Sequence, residues 1–222
     1  MTEDRTAMLN PLPWGVWALT LAIAGVELVL WAGAHGLVNW AGSAGWRAQA
    51  LVMAGVSPAV QGWMVETGQT PWPHLARYFT FGFVHPGPLQ AALVVVITAA
   101  LGKYCAERLG SLRLLVILAA AQAVGGVVFG MLAAPEAWLI GGHPMIFALA
   151  GVYGWLAWQE AESVAAKLRA VAVVVVLVLG RLALAGFAGV GLDWSADLAA
   201  CLGALCLTPL LRPGLRARLR RR

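Results

Sequence analysis

Six long apolar stretches dominate this sequence, and they constrain its fold more than any other feature. They cover residues 14–37, 80–104, 112–134, 142–159, 168–190 and 195–211. Each is close to the roughly 20 residues that a helix needs to cross the hydrocarbon core of a bilayer. The chain is 61% hydrophobic and only 11% charged, whereas soluble domains carry about 25% charged residues. We therefore predict an all-α, polytopic membrane protein with six transmembrane helices.

Basic residues predict the orientation of these helices. Six arginines lie in the last eleven residues, and Lys103, Arg108, Lys167 and Arg169 lie beside the loops on the same side of the predicted bundle. Cytoplasmic loops are enriched in Lys and Arg, so both termini are predicted to be cytoplasmic. The chain then divides into an N-terminal segment 1–13, a membrane domain 14–211 and a basic tail 212–222. Anionic lipids are the expected partners of the tail.

Two further expectations follow from the same charges and from the termini. No basic stripe runs through the body of the chain, so no nucleic-acid partner is expected. The tails are short. The first apolar stretch is too long for the core of a cleavable signal peptide, and the segment before it contains acidic residues where such a signal is positively charged. We therefore expect a multi-pass protein of a bacterial inner membrane.

The connection 38–79 is the one long loop, and the predicted orientation makes it periplasmic. It contains Trp40, Trp46, Trp63 and Trp72 between apolar stretches. Indole rings favour the headgroup level of a bilayer. We therefore expect a partly helical loop that lies at the membrane surface.

A few ionisable residues fall inside the apolar stretches, where they are costly and mark candidate sites. They are Glu27, His85, His143, Arg181 and Asp197. Arg181 has two possible partners, Glu27 and Asp197, and we expect the three to form a buried polar network. His143 and Asp197 could instead form a hydrogen-bonded link between two helices. The His and Cys spacings of zinc sites are absent, so neither a metal nor another cofactor is predicted.

Five short motifs stand out in the sequence. Residues 46–47 read WR, and residues 77–85 read RYFTFGFVH. Residues 107–111 read ERLGS, 141–151 read GGHPMIFALAG and 196–203 read ADLAACLG. These motifs resemble those of the rhomboid intramembrane serine proteases: the first is similar to the WR of that family's first loop, the second to the R-x-x-T-x-x-F-x-H entry to helix two, and the last two to the runs that carry the nucleophile and base. The resemblance implies a six-transmembrane-helix rhomboid-like bundle.

The residues that the family uses for proteolysis are replaced here. His143 stands at the position of the nucleophilic serine and is followed by Pro144, which has no backbone N–H to donate. Asp197 stands at the position of the basic histidine. Gln90 and Val94 replace the second histidine and the asparagine of the oxyanion-hole motif. Acyl transfer needs a nucleophile, a proton acceptor and oxyanion donors, so the resemblance implies a catalytically inactive pseudoprotease.

These replacements suggest a protein that binds the transmembrane segments of membrane-protein clients and holds, escorts or regulates them. The candidate client-binding residues are Trp46, Arg47, His85, Gln90, His143 and Asp197. One alternative is an assembly factor or subunit of a larger membrane complex. Another is a divergent membrane hydrolase that uses His143 and Asp197. No internal repeat is evident, which disfavours a transporter.

Overall fold

The computed structural model describes residues 11–38, 40–188 and 191–212. Within these ranges the chain forms nine α-helices, joined by short turns and two 3-10 helices. The α-helices are α1 (Trp14–Ala34), α2 (Trp46–Ala54), α3 (Pro58–Thr67), α4 (Trp72–Thr80), α5 (Pro88–Leu109), α6 (Ser111–Leu132), α7 (His143–Glu160), α8 (Val164–Ala188) and α9 (Asp193–Leu211). The all-α prediction is confirmed over the described part of the chain. The predicted segment 1–13 and tail 212–222 lie mostly outside it.

Five of these helices are long and apolar enough to cross a membrane, by length and composition: α1, α5, α6, α8 and α9. The remaining long helix, α7, contains several polar residues, and it packs against α5, α6, α8 and α9. Most of its first half is buried. The strongly polar residues of α7 lie at its two ends, His143 at the start and Gln159 and Glu160 at the end, and they make this helix less apolar than its neighbours.

The predicted start of the second transmembrane helix is wrong. Thr80 ends α4, a 3-10 turn follows at Phe81–Phe83, and α5 begins only at Pro88. The intervening sequence His-Pro-Gly-Pro explains the break, because proline cannot continue a helix but suits its first position. Gly87 between the two prolines has extended backbone. The long loop therefore reaches residue 87 rather than 79.

The other helix boundaries lie closer to their predicted positions. The first helix ends at Ala34 rather than residue 37, and α8 begins at Val164, four residues before the predicted start. Its predicted end at residue 190 lies outside the described residues.

Three helices, α2, α3 and α4, form much of the long loop, in agreement with a partly helical connection. The loop is attached to the bundle by specific hydrogen bonds. The Gln61 amide donates to the backbone oxygen of Val127 at 3.1 Å, and the Tyr78 hydroxyl donates to Gln61 Oε1 at 2.7 Å. Gly130 lies directly under the Gln61 side chain, where a Cβ would collide with it. The loop is therefore a fixed wall at one end of the bundle, which we call the loop end.

Helix α9 forms the centre of the packing, against α6 on one side and α7 on the other. Glycines permit both contacts. A Cβ on Gly125 of α6 would lie 2.6 Å from the backbone oxygen of Ala196, and one on Gly151 of α7 would lie 2.5 Å from that of Cys201. Close backbone approach through small residues is typical of helix packing in membranes. These two contacts fix α9 on either side of Asp197.

Two further glycines, on α6 and α9, have different neighbours. Gly126 faces Tyr78, Phe81 and Val56 of the long loop. Gly203 meets α6 only at ordinary van der Waals distance. The close contacts with α9 are made by Gly125 and Gly151.

Candidate functional site

A polar cavity of about 440 Å³ lies at the loop end of the bundle. Residues from four helices and two connections line it: Pro86, Gln90, Trp138, Leu139, Ile140, His143, Pro144, Arg181, Leu184, Asp193 and Asp197. The first turns of α5, α7 and α9 meet here, opposite the last third of α8. The cavity is thus lined by four of the predicted site residues: Gln90, His143, Arg181 and Asp197.

Arg181 and Asp197 form an ion pair across the cavity wall. Arg181 Nε donates to Asp197 Oδ2 at 2.6 Å, which connects α8 to α9. The side chains are 18% and 2% exposed, respectively. The second carboxylate oxygen, Asp197 Oδ1, is buried and has no hydrogen-bond partner among the described residues. The sequence left Glu27 and Asp197 as possible partners of Arg181, and in the structure the partner is Asp197.

Glu27 does not join this pair, so the predicted network of Glu27, Arg181 and Asp197 is wrong as a single unit. The Glu27 carboxylate instead accepts two hydrogen bonds from Arg47, at 2.6 and 3.0 Å. Arg47 also donates to the backbone oxygen of His85. The guanidinium group therefore joins α1, α2 and the segment before α5. Planar guanidinium and carboxylate groups favour this two-bond geometry.

His143 is bonded to Gln90 and not to Asp197. The distance between Gln90 Nε2 and His143 Nδ1 is 3.0 Å. No hydrogen bond joins His143 to Asp197, both of which are described, so the predicted link between these two side chains is wrong. The residues at the positions of a rhomboid nucleophile and base are each bonded to a different partner.

His85 lies behind the cavity and is fully buried. Its Nε2 accepts a hydrogen bond from the backbone N–H of Gly142 at 3.2 Å, and Gly142 directly precedes His143. Burial lowers the pKa of His85 below its ordinary value, which favours the neutral ring that this acceptor role requires. His85 therefore positions the turn before α7 and does not line the cavity.

Trp46 and Arg47 also lie away from the cavity lining. The indole of Trp46 packs on Gly33 of α1, where a Cβ would lie 2.7 Å from the ring, and it meets Trp40 edge to face at 5.8 Å. Together with the Glu27–Arg47 pair, this packing holds the long loop against α1. Sequence reasoning assigned these residues to a binding surface and missed the Glu27–Arg47 pair. The WR motif, which contains Arg47, was the sequence feature that could have pointed to this pair.

The cavity offers one guanidinium, two carboxylates, an imidazole and an amide, and it lacks a hydroxyl or thiol nucleophile among its described lining residues. The serines lie elsewhere, at Ser43, Ser57, Ser111, Ser163 and Ser195. Within the described ranges, no group of three His, Cys, Asp or Glu side chains is arranged to hold a metal ion. The arrangement is suited to hydrogen bonding and charge pairing.

Comparison with known families supports the resemblance seen in the motifs. The model of the Rhomboid domain matches residues 73–214, which include α5 to α9 and every residue that lines the cavity. The match begins after the WR motif, so that part of the resemblance stands on the sequence alone. No individual curated protein matches the sequence. Because the family match covers well over half of the chain, this protein belongs to the rhomboid family.

Proposed function

We propose that this chain is a non-proteolytic rhomboid-family membrane protein that binds the transmembrane segments of other membrane proteins and holds, escorts or regulates them. In this proposal α7 is the sixth span, both termini are cytoplasmic, and the protein resides in a bacterial inner membrane. The loop end then faces the periplasm, and the polar cavity lies near the outer surface of the bilayer.

One observation supports the loss of proteolysis above all others. The positions of the rhomboid nucleophile and base are His143 and Asp197, which are bonded to Gln90 and Arg181 at 3.0 and 2.6 Å. A catalytic dyad needs the nucleophile and base within hydrogen-bond reach of each other.

The position of α8 supports an interaction with transmembrane segments. Only 11% of its apolar window is buried in the bundle, and its main packing partners are α7 and α9. Leu184 on α8 lines the cavity and is 65% exposed. A polar residue in a client helix is costly in lipid. The polar side chains beside α8 would stabilise such a residue by hydrogen bonding.

Photo-crosslinking from the two sides of the cavity tests this function. A photoreactive amino acid at Leu89 of α5 or Leu184 of α8 is expected to capture membrane proteins in intact cells. Both side chains are exposed, at 77% and 65%. Leu184 lines the cavity, and Leu89 directly precedes the lining residue Gln90. The matched control is Met131 on α6, which is 71% exposed near the same end of the bundle but neither lines the cavity nor neighbours a lining residue in sequence. Captured proteins would be identified by mass spectrometry.

The pattern of capture distinguishes the alternatives. Clients should be enriched at residues 89 and 184 over residue 131, and the crosslinked peptides should map to client transmembrane segments. Equal capture at the three positions, or capture of lipid and self-contacts only, would argue against client binding. A single fixed set of proteins that co-migrates with the chain on native gels would favour the subunit or assembly-factor alternative.

A serine-directed probe tests the loss of catalysis. We expect no covalent labelling by a fluorophosphonate in membranes, under conditions that label an active rhomboid protease, because the described cavity offers no serine hydroxyl. Labelling that maps to a serine of this chain would contradict the proposal. The hydrolase alternative predicts turnover that disappears in His143→Ala, which a peptide-substrate assay of both proteins would detect.

A further inference from the structure

An apolar groove lies between α7 and α8 at the end of the bundle opposite the loop end, which we call the tail end. Its volume is about 310 Å³, and it is lined by Trp155, Trp158, Val171, Val174, Val175 and Leu205, together with Gly154. Gly154 lets the two helices meet at the base of the groove, since a Cβ there would lie 2.6 Å from Val174 Cγ2. The groove offers almost no polar surface to a ligand, which suits a hydrocarbon chain.

Two cations are placed against the tryptophans of this groove. Lys167 Nζ lies 5.5 Å from the ring centroid of Trp158, and Arg212 Cζ lies 5.4 Å from that of Trp155. Both distances fit cation–π contacts. Neither cation forms a salt bridge with any described carboxylate.

The carboxylate at the end of α7 is hydrogen-bonded to other residues. Glu160, at the end of α7, accepts hydrogen bonds from Arg108 at 2.7 Å and from Tyr104 at 3.0 Å. Glu160 attracts Arg212 electrostatically, but its salt bridge is with Arg108. Positive charge therefore remains at the end of the apolar groove.

We propose that this groove binds an anionic phospholipid of the tail-end leaflet. An acyl chain would lie along the valines of α8, and the phosphate would contact Lys167 and Arg212. The two indoles suit this position, because tryptophan favours the boundary between acyl chains and headgroups. Charge complementarity selects the occupant: paired cations favour an anionic headgroup, whereas an apolar protein helix or a zwitterionic lipid gains little from them.

Native mass spectrometry of the full chain in detergent tests the proposal, with phosphatidylglycerol and phosphatidylcholine added in equal amounts. Phosphatidylglycerol is expected to bind preferentially. A basic residue near a membrane surface contributes about a fivefold gain in affinity for anionic lipid, so the double variant Lys167→Gln, Arg212→Gln is expected to bind about 30-fold more weakly. Arg169→Gln is the charge control, because it removes the same charge from α8, two residues from Lys167.

A second pair of variants tests the acyl-chain contact without changing charge. Val175→Trp fills the groove and is expected to weaken phosphatidylglycerol binding, whereas Val176→Trp, which changes the neighbouring residue outside the groove lining, should leave it unchanged. Size-exclusion chromatography confirms that each variant is folded. Equal losses from Arg169→Gln and from either groove cation would indicate diffuse attraction and overturn the proposal. So would unchanged binding by the double variant, or equal binding of the two lipids.

Discussion

Replacing Arg181 with methionine is expected to lower the free energy of unfolding by about 3–5 kcal/mol, because it leaves a buried carboxylate without its counter-ion. Asp197 is 2% exposed, and its second oxygen already lacks a partner among the described residues. No other described cation replaces the guanidinium at hydrogen-bond distance from the carboxylate. The variant should therefore lose much of its stability, and α8 should separate from α9 at the loop end.

Replacing Asp197 should lower the free energy of unfolding by less than replacing Arg181. Arg181 is 18% exposed and borders the cavity, so in Asp197→Ala its long side chain can turn toward water. We expect a cost of about 1–2 kcal/mol for this variant. The double variant Arg181→Met, Asp197→Ala should lie within about 1 kcal/mol of the original protein, since removing both members of a buried pair is often nearly neutral.

Reversible unfolding in mixed detergent and SDS micelles, followed by tryptophan fluorescence, gives the three free energies. Arg169→Met is the control, because it shortens an exposed arginine at the tail end of the same helix. Strong non-additivity would support the ion pair. If the two single changes simply add in the double variant, Arg181 and Asp197 do not interact in the folded protein.

The sequence predicted the helical scaffold well because length and apolar composition decide whether a segment can cross a membrane. Each predicted stretch overlaps a long helix of the structure. The largest error in a helix start, at residue 80 instead of 88, came from treating the apolar Phe81–Phe83 turn as part of the span. The prolines at 86 and 88, with Gly87 between them, were the signal that should have moved it.

The side-chain pairs were harder to predict, because sequence spacing does not say which helices are neighbours or how deep a loop reaches. Glu27 had Arg181 as a candidate at similar depth, yet its partner is Arg47, which the long loop brings against α1. His143 and Asp197 line the same cavity but are not bonded to each other. Their true partners depend on the rotation of α5 and α8, which the apolar patterns of those helices do not determine.

Gly151→Leu is expected to prevent folding, because α7 and α9 touch at this glycine through their backbones. An added Cβ would lie 2.5 Å from the backbone oxygen of Cys201 and 3.3 Å from Ala204 Cβ. A backbone oxygen inside a helix cannot move aside as a flexible side chain can, so the two helices must separate. Even Gly151→Ala should cost about 3 kcal/mol, at the upper end of ordinary overpacking.

Gly180 of α8 provides the matched control. It also lies inside a helix, but a Cβ there would meet nothing within 4 Å. Gly180→Ala should therefore be neutral or stabilise the protein by up to about 1 kcal/mol, through the better helix propensity of alanine. The same SDS titration measures both alanine variants, and the yield of monodisperse protein measures Gly151→Leu.

A substitution at Gly151 should also change the cavity, because the glycine contacts fix the position of α9. Gly151 meets the backbone at Cys201 and Gly125 meets it at Ala196, next to Asp197. A shift of α9 large enough to admit a side chain at residue 151 would move Asp197 from its 2.6 Å contact with Arg181. In Gly151→Ala, the coupling energy between Arg181 and Asp197 should therefore fall toward zero. An unchanged coupling energy would mean that α9 adapts locally and that Gly151 does not position the ion pair.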